Sequence, residues 1–424
     1  MRDRLYAGTA RADITPQLGH NLAGWILRRP AAHKITPILA RALVLASGEA
    51  QVAIVACDLL WMPEPLSSQV RGAVSARCGI PPGQIFLMPS HNHFGPDVEP
   101  FTAEERAYVE ALPDHIACAV RQALDGLQPA RWGLGYGREE TIAINSRFRL
   151  KDGTIAWIAP QPEQVASTTG PLDPAVGVLL ISDEGGRPLA TLYNYACHAN
   201  CGEEAGISAM SWDWVGYASQ AIENAVGGEA FFLPGACGNV HPARYGVAPA
   251  MGEKLAREVI TVARQIQTRD QASLAIQQWP LTLPARDFEA FDPQQIRVIC
   301  RQIEDAEVRS AVEAVFFEQL RRLRAEKRAS LSASMGLIRM DGLAILCVPG
   351  ELFVELGLEI KQASPFEHTL VVELVNDAIG YIPTRRAYEE GGYQTTTVAP
   401  LAPGAGELLV AEALARLRDL MHSA

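Results

Sequence analysis

Short apolar segments, separated by turns rich in Gly, Pro, Asp and Ser, recur along the whole chain. Apolar runs of this length between turn residues are typical of buried strands. Two pairs of runs are joined by short polar turns and therefore predict hairpins, at residues 40–45 with 52–56 and at 176–181 with 189–195. Further strands are predicted near residues 84–88, 229–233, 336–348 and 368–375.

Segments with apolar residues at helical spacing lie between these strands. The first follows Thr102 and Glu105, which are spaced as a capping box. Further helices are predicted at about residues 214–224, 250–267, 292–327, 351–364 and 405–421. Because helices and strands alternate and antiparallel hairpins are frequent, the sequence predicts an α/β fold with mixed β-sheets flanked by helices. We expect one domain over residues 1–424, with a weak internal boundary near 281–294.

Composition narrows the function classes. The formal net charge is -11, which argues against a nucleic-acid-binding surface. No run of eighteen apolar residues is present, so no membrane span is predicted, and residues 1–8 lack the apolar core of a signal peptide. Eight cysteines are scattered along the chain, several within apolar runs, which predicts reduced core thiols and a cytoplasmic location.

A pair of histidines follows the predicted strand at 84–88. Residues 90–96 read Ser-His-Asn-His-Phe-Gly-Pro, so that His91 and His93 stand two residues apart at the strand end. Side chains two apart in extended chain project from the same face. Histidine is the commonest metal ligand, but a hydrogen-bonded pair in a loop is an equally good interpretation of these two residues alone.

Further polar residues stand just after other apolar runs. They are His198, His241, Glu351 and Tyr381. Ligand sites in sheet-based folds gather in the loops outside strand ends. Two or three histidines and a carboxylate are a zinc-type ligand set, and catalytic zinc brings the pKa of a bound water to about 7. The sequence therefore predicts a metal site in the loops at strand ends.

Competing chemistries have little support. The chain contains no Gly-x-Ser-x-Gly elbow, no His-Glu-x-x-His helix and no phosphate-binding loop. The glycines of residues 133–137 are wrongly spaced for a dinucleotide fingerprint. A structural zinc site from Cys197, His198, Cys201 and Cys237 is an alternative, but it lacks the usual paired Cys-x-x-Cys spacing.

Five motifs, in order along most of the chain, resemble the catalytic domain of the neutral (non-lysosomal) ceramidase family. Residues 7–16 resemble the opening of that family, and residues 91–96 are similar to its His-Thr-His-Ser-Gly-Pro. Residues 194–198, Asn-Tyr-Ala-Cys-His, match a family histidine after a strand. Residues 349–351 match its Pro-Gly-Glu, and residues 381–393 resemble its final tyrosine-rich motif.

The resemblance implies one zinc ion per chain, bound by His91, His198, Glu351 and Tyr381, and hydrolysis of an amide in a small N-acyl substrate, with ceramide as one candidate. It also implies roles for His93 in proton transfer and for Arg147 and Tyr393 in holding the substrate carbonyl or the developing oxyanion. Where the family has a functional serine, this chain has His241, which we include among the catalytic candidates.

Alternatives remain open at this point. A zinc hydrolase of an ester, lactone or cyclic amide fits the same residues, and His241 in place of serine also fits a non-catalytic metal-containing binding protein. Tyr381 is alternatively a buried phenol with one hydrogen bond. Iron or manganese suits His, Glu and Tyr ligands as well as zinc does. The substrate is a small molecule in each enzyme hypothesis, and a homo-oligomer is compatible with the sequence.

Overall fold

A mixed sheet forms the centre of the structure, a computed structural model that describes residues 3–157 and 160–422. Within these residues it has nine strands, and the shortest, Gln271–Ala272, pairs only with the first strand of the chain. In spatial order the other eight are Glu229–Pro234, Pro188–Tyr195, Ala175–Asp183, Gln128–Arg138, Asp3–Asp13, Leu39–Ser47, Ala50–Cys57 and Ile85–Pro89. Both edge pairs are parallel, and the pairs between them are antiparallel.

A second, smaller sheet packs against one face of the first. In spatial order its strands are Leu274–Pro284, Ser330–Met340, Leu343–Cys347 and His368–Val372, and the last pair is parallel. Apolar side chains from both sheets form one buried cluster, with Phe86 and Phe231 on one side and Ile345 and Leu370 on the other. Burial of this shared apolar surface is the main force that joins the sheets.

Helices cover the two outer faces. Leu66–Cys78, Ala103–Asp125, Asp213–Val226 and Ala248–Ala263 lie on the large sheet, and Val354–Ala363 and Ala405–His422 lie on the small sheet. The predicted α/β class, with mixed sheets flanked by helices, is confirmed. None of the helices among the described residues is long and apolar enough to cross a membrane.

The remaining helices lie outside these layers. Gln294–Cys300 and Ala306–Glu326 share a separate apolar cluster that contains Phe316, and Arg385–Glu390 lies within the tyrosine-rich motif. Short 3₁₀ turns span Pro82–Gln84, Pro162–Gln164 and Tyr393–Thr395. Four pairs of short strands complete the described structure: His33–Lys34 with Ala209–Met210, Ala143–Asn145 with Val240–Pro242, Phe148–Leu150 with Val165–Thr168, and Glu351–Leu352 with Tyr381–Ile382.

Both predicted hairpins and the Thr102–Glu105 capping box are confirmed. The single helix predicted at 292–327 is wrong, because Asp305 begins a new helix by accepting hydrogen bonds from the backbone of Glu307 and Val308. The segment predicted as a strand at 336–348 is two strands, which turn at residues 341–342.

Candidate metal centre

Two loops at strand ends bring three histidines together. His91 and His93 follow the strand Ile85–Pro89, and His198 follows Pro188–Tyr195. The loops pair directly, because Asn92 and Ala199 form a parallel bridge and the His93 backbone N–H donates to the Ala199 carbonyl at 2.9 Å. The side-chain nitrogens of the three histidines lie within 4.8 Å of one another.

Glu351 enters the same space from the small sheet. It lies just beyond the strand Leu343–Cys347 and is 4% exposed. Its Oε2 lies 3.4 Å from His91 Nε2 and 3.6 Å from His198 Nε2. Ligand atoms at about 2.0–2.1 Å from a tetrahedral zinc ion are about 3.4 Å apart, so this spacing is that of a shared ion.

Four atoms of this cluster are buried without a hydrogen-bond partner: His91 Nε2, His93 Nε2, His198 Nε2 and Glu351 Oε2. Buried polar atoms are normally paired, so a group of unpaired ones that face one another needs an explanation. The His198 Nδ1 lies 2.8 Å from the Cys237 carbonyl and must donate to it. The proton is then on Nδ1, which leaves the Nε2 lone pair free for a metal.

The electrostatics suit a cation. Burial and the neighbouring His91 lower the pKa of His198, and burial together with both other histidines lowers that of His93 further. The pKa of Glu351 is lowered because its histidine neighbours outweigh burial, and the pKa of His91 is raised by Glu351 against the effect of burial. Neutral His93 and His198 and an ionised Glu351 are in the protonation states that bind metals, and the raised pKa of His91 reflects the attraction of Glu351 for a positive charge at this point. The donor set present therefore fits a divalent metal ion.

Tyr381 reaches the site through its strand pairing with Glu351, and it is 6% exposed. Burial first, and the carboxylate of Glu351 second, raise the pKa of Tyr381 well above its ordinary value. The phenol is therefore protonated at neutral pH unless a cation binds beside it. At this position the Tyr381 hydroxyl fits either a metal ligand or a hydrogen-bond donor to the Glu351 carboxylate.

His241 lies on the far side of His198. The two rings are stacked, with centroids 4.2 Å apart and an interplanar angle of 22°. His241 Nε2 is buried without a partner, whereas Nδ1 lies 3.1 Å from Asn200 Nδ2. Burial and the other histidines lower the pKa of His241 well below its ordinary value, so this ring is neutral near pH 7.

The structure brings Arg147 and Tyr393 into one assembly beside Tyr381. Arg147 is 2% exposed, and its Nη2 donates to the Ala387 and Gly391 carbonyls at 3.3 and 2.9 Å and to Glu390 at 3.2 Å. Its Nη1 is buried without a partner. Arg147 thus holds the segment that precedes Tyr393 and keeps one nitrogen free to bind a further group.

Tyr393 packs against aromatic residues on both sides. Its ring stacks on Trp157, with centroids 5.0 Å apart and 9° between the planes, and it meets Tyr381 edge-on at 5.8 Å. Burial, followed by the effect of Glu351, raises the pKa of Tyr393. Trp157 is not among the predicted site residues, and no local sequence pattern marks it as one.

Other acidic residues near the predicted loops face elsewhere. Asp58 binds Arg41 and the Leu39 backbone, and Asp213 accepts the backbone N–H groups of Cys201 and Gly202. Their carboxylates are therefore occupied by structural hydrogen bonds.

The alternative thiol site is also occupied by other bonds. Cys201 Sγ donates to the Arg244 carbonyl and Cys237 Sγ to Glu373, and burial raises the pKa of both thiols. A thiol must lose its proton to bind zinc, so these residues favour the histidine site over a cysteine site.

Solved structures that share this fold include two ceramidases. Neutral ceramidase from Pseudomonas aeruginosa matches 98% of this chain and 75% of its own chain, with a TM-score of 0.72 and 18% sequence identity. A structure described as ceramidase complexed with C2 matches 99% of this chain and 76% of its own, with a TM-score of 0.72 and 17% identity. No protein-family model and no curated protein matches the chain. The fold implied by the five-motif resemblance is thus confirmed.

Proposed function

We propose that this chain is a zinc-dependent hydrolase that cleaves the amide bond of a small N-acyl compound. The observation that carries the proposal is the convergence of unpaired buried atoms on His91, His198 and Glu351, in a fold shared with ceramidases. The spacing of these atoms supports one shared ion. Amide cleavage is supported by the fold, which two ceramidases share, and by the five-motif resemblance.

The metal would be held by His91, His198 and Glu351, with Tyr381 as a fourth ligand. When bound, zinc acts as a Lewis acid and makes water a nucleophile near neutral pH. His91 and His198 are oriented by the Leu60 and Cys237 carbonyls, at 3.3 and 2.8 Å from their Nδ1 atoms. These carbonyls direct both Nε2 atoms to the same point.

His93 would move the protons. Its lowered pKa keeps the imidazole neutral, and its unpaired Nε2 is free to accept a proton from the attacking water. The water oxygen bonds to the carbonyl carbon, the C–N bond breaks, and the departing nitrogen takes the proton back from His93. The backbone of His93 is fixed for this task by Ala199 and by the Trp25 indole, which donates to the His93 carbonyl at 2.9 Å.

Tyr393, Arg147 and His241 would bind the rest of the reacting group. The raised pKa of Tyr393 keeps its hydroxyl protonated, so the hydroxyl can donate to the substrate carbonyl as negative charge develops. Arg147 holds the Tyr393 segment and offers its free Nη1. His241 Nε2 is available to a polar group on the substrate.

A second candidate is a metal-containing binding protein of the same fold. His241 favours it, because the resemblance places a functional serine there, and the stacked ring fills space beside His198. Such a protein would bind metal and hydrolyse nothing.

We further propose that residues 1–424 form one catalytic domain, with a cytoplasmic location suggested by eight free cysteines.

Metal analysis combined with an activity screen tests the proposal. The protein is purified without added metal or a histidine tag, and then assayed on ceramide in detergent micelles, small N-acyl anilides, esters and lactones. We expect about one zinc per chain and hydrolysis of at least one amide. Replacing both His91 and His198 by Ala should abolish metal binding and hydrolysis together. Metal without turnover on the whole panel would favour the binding protein, and activity retained in the double variant would refute the metal mechanism.

A further inference from the structure

Glu373 lies where the loop that carries Glu351 meets the loop that orients His198, and the mechanism above gives it no role. It directly follows the strand His368–Val372 and is fully buried. This strand is parallel to Leu343–Cys347, which leads to Glu351. Parallel neighbours end at the same edge of a sheet, so Glu373 and Glu351 leave the small sheet side by side.

The Glu373 carboxylate accepts hydrogen bonds from both loops. Its Oε2 accepts the backbone N–H groups of Leu352 and Cys237, each at 3.0 Å, and its Oε1 accepts the Cys237 thiol at 2.9 Å. Leu352 belongs to the loop from the small sheet, and Cys237 to the loop after the edge strand Glu229–Pro234 of the large sheet. One buried side chain therefore joins the two sheets at the site.

Both residues that donate to Glu373 are directly connected to a predicted ligand, one by a hydrogen bond and the other by a peptide bond. The Cys237 carbonyl accepts the proton of His198 Nδ1, and Leu352 is covalently next to Glu351. The loops are also in close contact, because a Cβ atom added at Gly238 would lie 2.5 Å from the Glu351 carbonyl oxygen. A displacement of either loop would thus change the distance between His198 and Glu351.

We propose that Glu373 is a positioning residue of the metal centre. Its carboxylate ties the loop that orients His198 to the loop that carries Glu351, and so holds His198 Nε2 and Glu351 Oε2 3.6 Å apart, the spacing that a shared ion needs. This inference rests on the metal site of the proposed function. Partners that orient metal ligands typically contribute about 10- to 100-fold to metal affinity.

Three variants separate this role from simple core stability. Glu373→Leu removes the acceptors, whereas Glu373→Gln keeps one oxygen for the two N–H groups. Glu105→Leu is the control, because Glu105 is also buried and accepts hydrogen bonds from the backbone N–H groups of Asn21, Phe101 and Thr102 and from Arg28, but none of these residues is joined to a predicted ligand.

The measurements are the Zn²⁺ dissociation constant, by competition with a chelator, and the visible absorption spectrum of the Co²⁺-substituted protein. We expect Glu373→Leu to raise the dissociation constant about 10- to 100-fold and to change the Co²⁺ bands. Glu373→Gln should stay close to wild type in both measurements. Glu105→Leu should lower the unfolding temperature and leave metal affinity and spectrum unchanged.

The outcomes distinguish this inference from the proposed function. Wild-type affinity in Glu373→Leu, or a loss in Glu373→Gln as large as in Glu373→Leu, overturns the positioning role while the metal site stands. Absence of Zn²⁺ binding in the wild-type protein overturns the proposed function instead. If Glu373→Leu does not fold, Glu373→Asp decides: it is one methylene too short to bridge both loops, so unchanged affinity and spectrum would overturn the inference.

Discussion

Glu351 and Tyr381 are direct partners in a two-residue parallel ladder, although 30 positions separate them in the sequence. Their strands, Glu351–Leu352 and Tyr381–Ile382, lie in loops outside the two main sheets. The ladder fixes the two backbones side by side and so sets the phenol beside the carboxylate. Burial first, and the adjacent Glu351 carboxylate second, raise the pKa of Tyr381 well above its ordinary value.

Tyr381→Phe tests whether the phenol is a ligand. Because burial and Glu351 keep it protonated, it can bind the metal only by losing a proton, and we expect a weak ligand: zinc affinity should fall roughly tenfold, within the range for groups that support a metal site. The check is a chelator competition at pH 7 and pH 9, where the loss should be larger at pH 9. Tyr388→Phe is the control, since its hydroxyl donates to the Leu401 carbonyl away from the site. If Tyr381→Phe binds zinc as tightly as wild type at both pH values, Tyr381 is a structural phenol and not a ligand.

Glu351 and His93 are alternative candidates for the third metal ligand beside His91 and His198. The resemblance assigns it to Glu351, yet His93 belongs to the cluster of three histidines. We expect Glu351→Gln to lose most of the bound zinc, because it removes the only carboxylate of the set. His93→Ala should keep about one zinc per chain and lower kcat by about 10²–10⁴-fold, as for loss of a general acid–base group. Metal analysis beside steady-state kinetics makes the comparison, and zinc loss in His93→Ala would reverse the assignment.

The sequence indicates which strand ends carry the candidate site residues, but not how those strand ends meet. His91, His198 and Glu351 each stand just after an apolar strand, and such strands are visible as hydrophobic runs. What brings the loops together is not visible: the Asn92–Ala199 bridge and the Glu351–Tyr381 ladder join segments far apart in the chain. Long-range pairing of this kind leaves no local pattern.

The strand Gln128–Arg138 shows a second reason for missed elements. It is central in the large sheet, but alternating glycines at 133, 135 and 137 remove the hydrophobic alternation that marks a strand. These glycines are required by tertiary packing, because a Cβ atom at Gly135 would lie 2.8 Å from Val262 on a covering helix. Close packing of another element thus overrode local propensity.

Arg147 is expected to matter for stability as well as turnover. Arg147→Met removes hydrogen bonds to two backbone carbonyls and to Glu390, and it should lower the free energy of unfolding by about 3 kcal/mol. It should also lower kcat, because the segment before Tyr393 loses its anchor. Arg149→Met is matched, since Arg149 lies 3.2 Å from the same Glu390 but is partly exposed, and it should change stability by less than about 1 kcal/mol. Urea denaturation distinguishes the two, and equal effects would contradict the anchoring role.

Asp213 should make stability depend on pH. Burial raises its pKa to about 7, although three backbone N–H bonds oppose the shift. Between about pH 4 and pH 7 the folded state therefore binds more protons than the unfolded state, so the contribution of Asp213 to stability falls as pH rises through this range. Asp213→Asn stays neutral, and we expect it to gain stability relative to wild type between pH 5 and pH 8, by no more than about 4 kcal/mol. Denaturant unfolding of both proteins at pH 5 and pH 8 measures this. A difference in unfolding free energy that is the same at the two pH values would refute it.

His241→Ser exchanges the residue of this chain for the one that the resemblance leads us to expect. His198 should keep its orientation, because the Cys237 carbonyl holds its Nδ1 independently of the stacked His241 ring, so about one zinc per chain should remain. If the unpaired Nε2 of His241 contacts the substrate, kcat/KM should fall at least tenfold on the preferred amide, and the order of preference within the substrate panel should change. Tyr245→Phe is the control, since it removes only an exposed hydroxyl 3.4 Å from His241 Nδ1 and should leave both quantities near wild type. Unchanged kinetics in His241→Ser would reduce His241 to a packing residue, and loss of zinc would show that the stacked ring, rather than the Cys237 carbonyl, holds His198 in place.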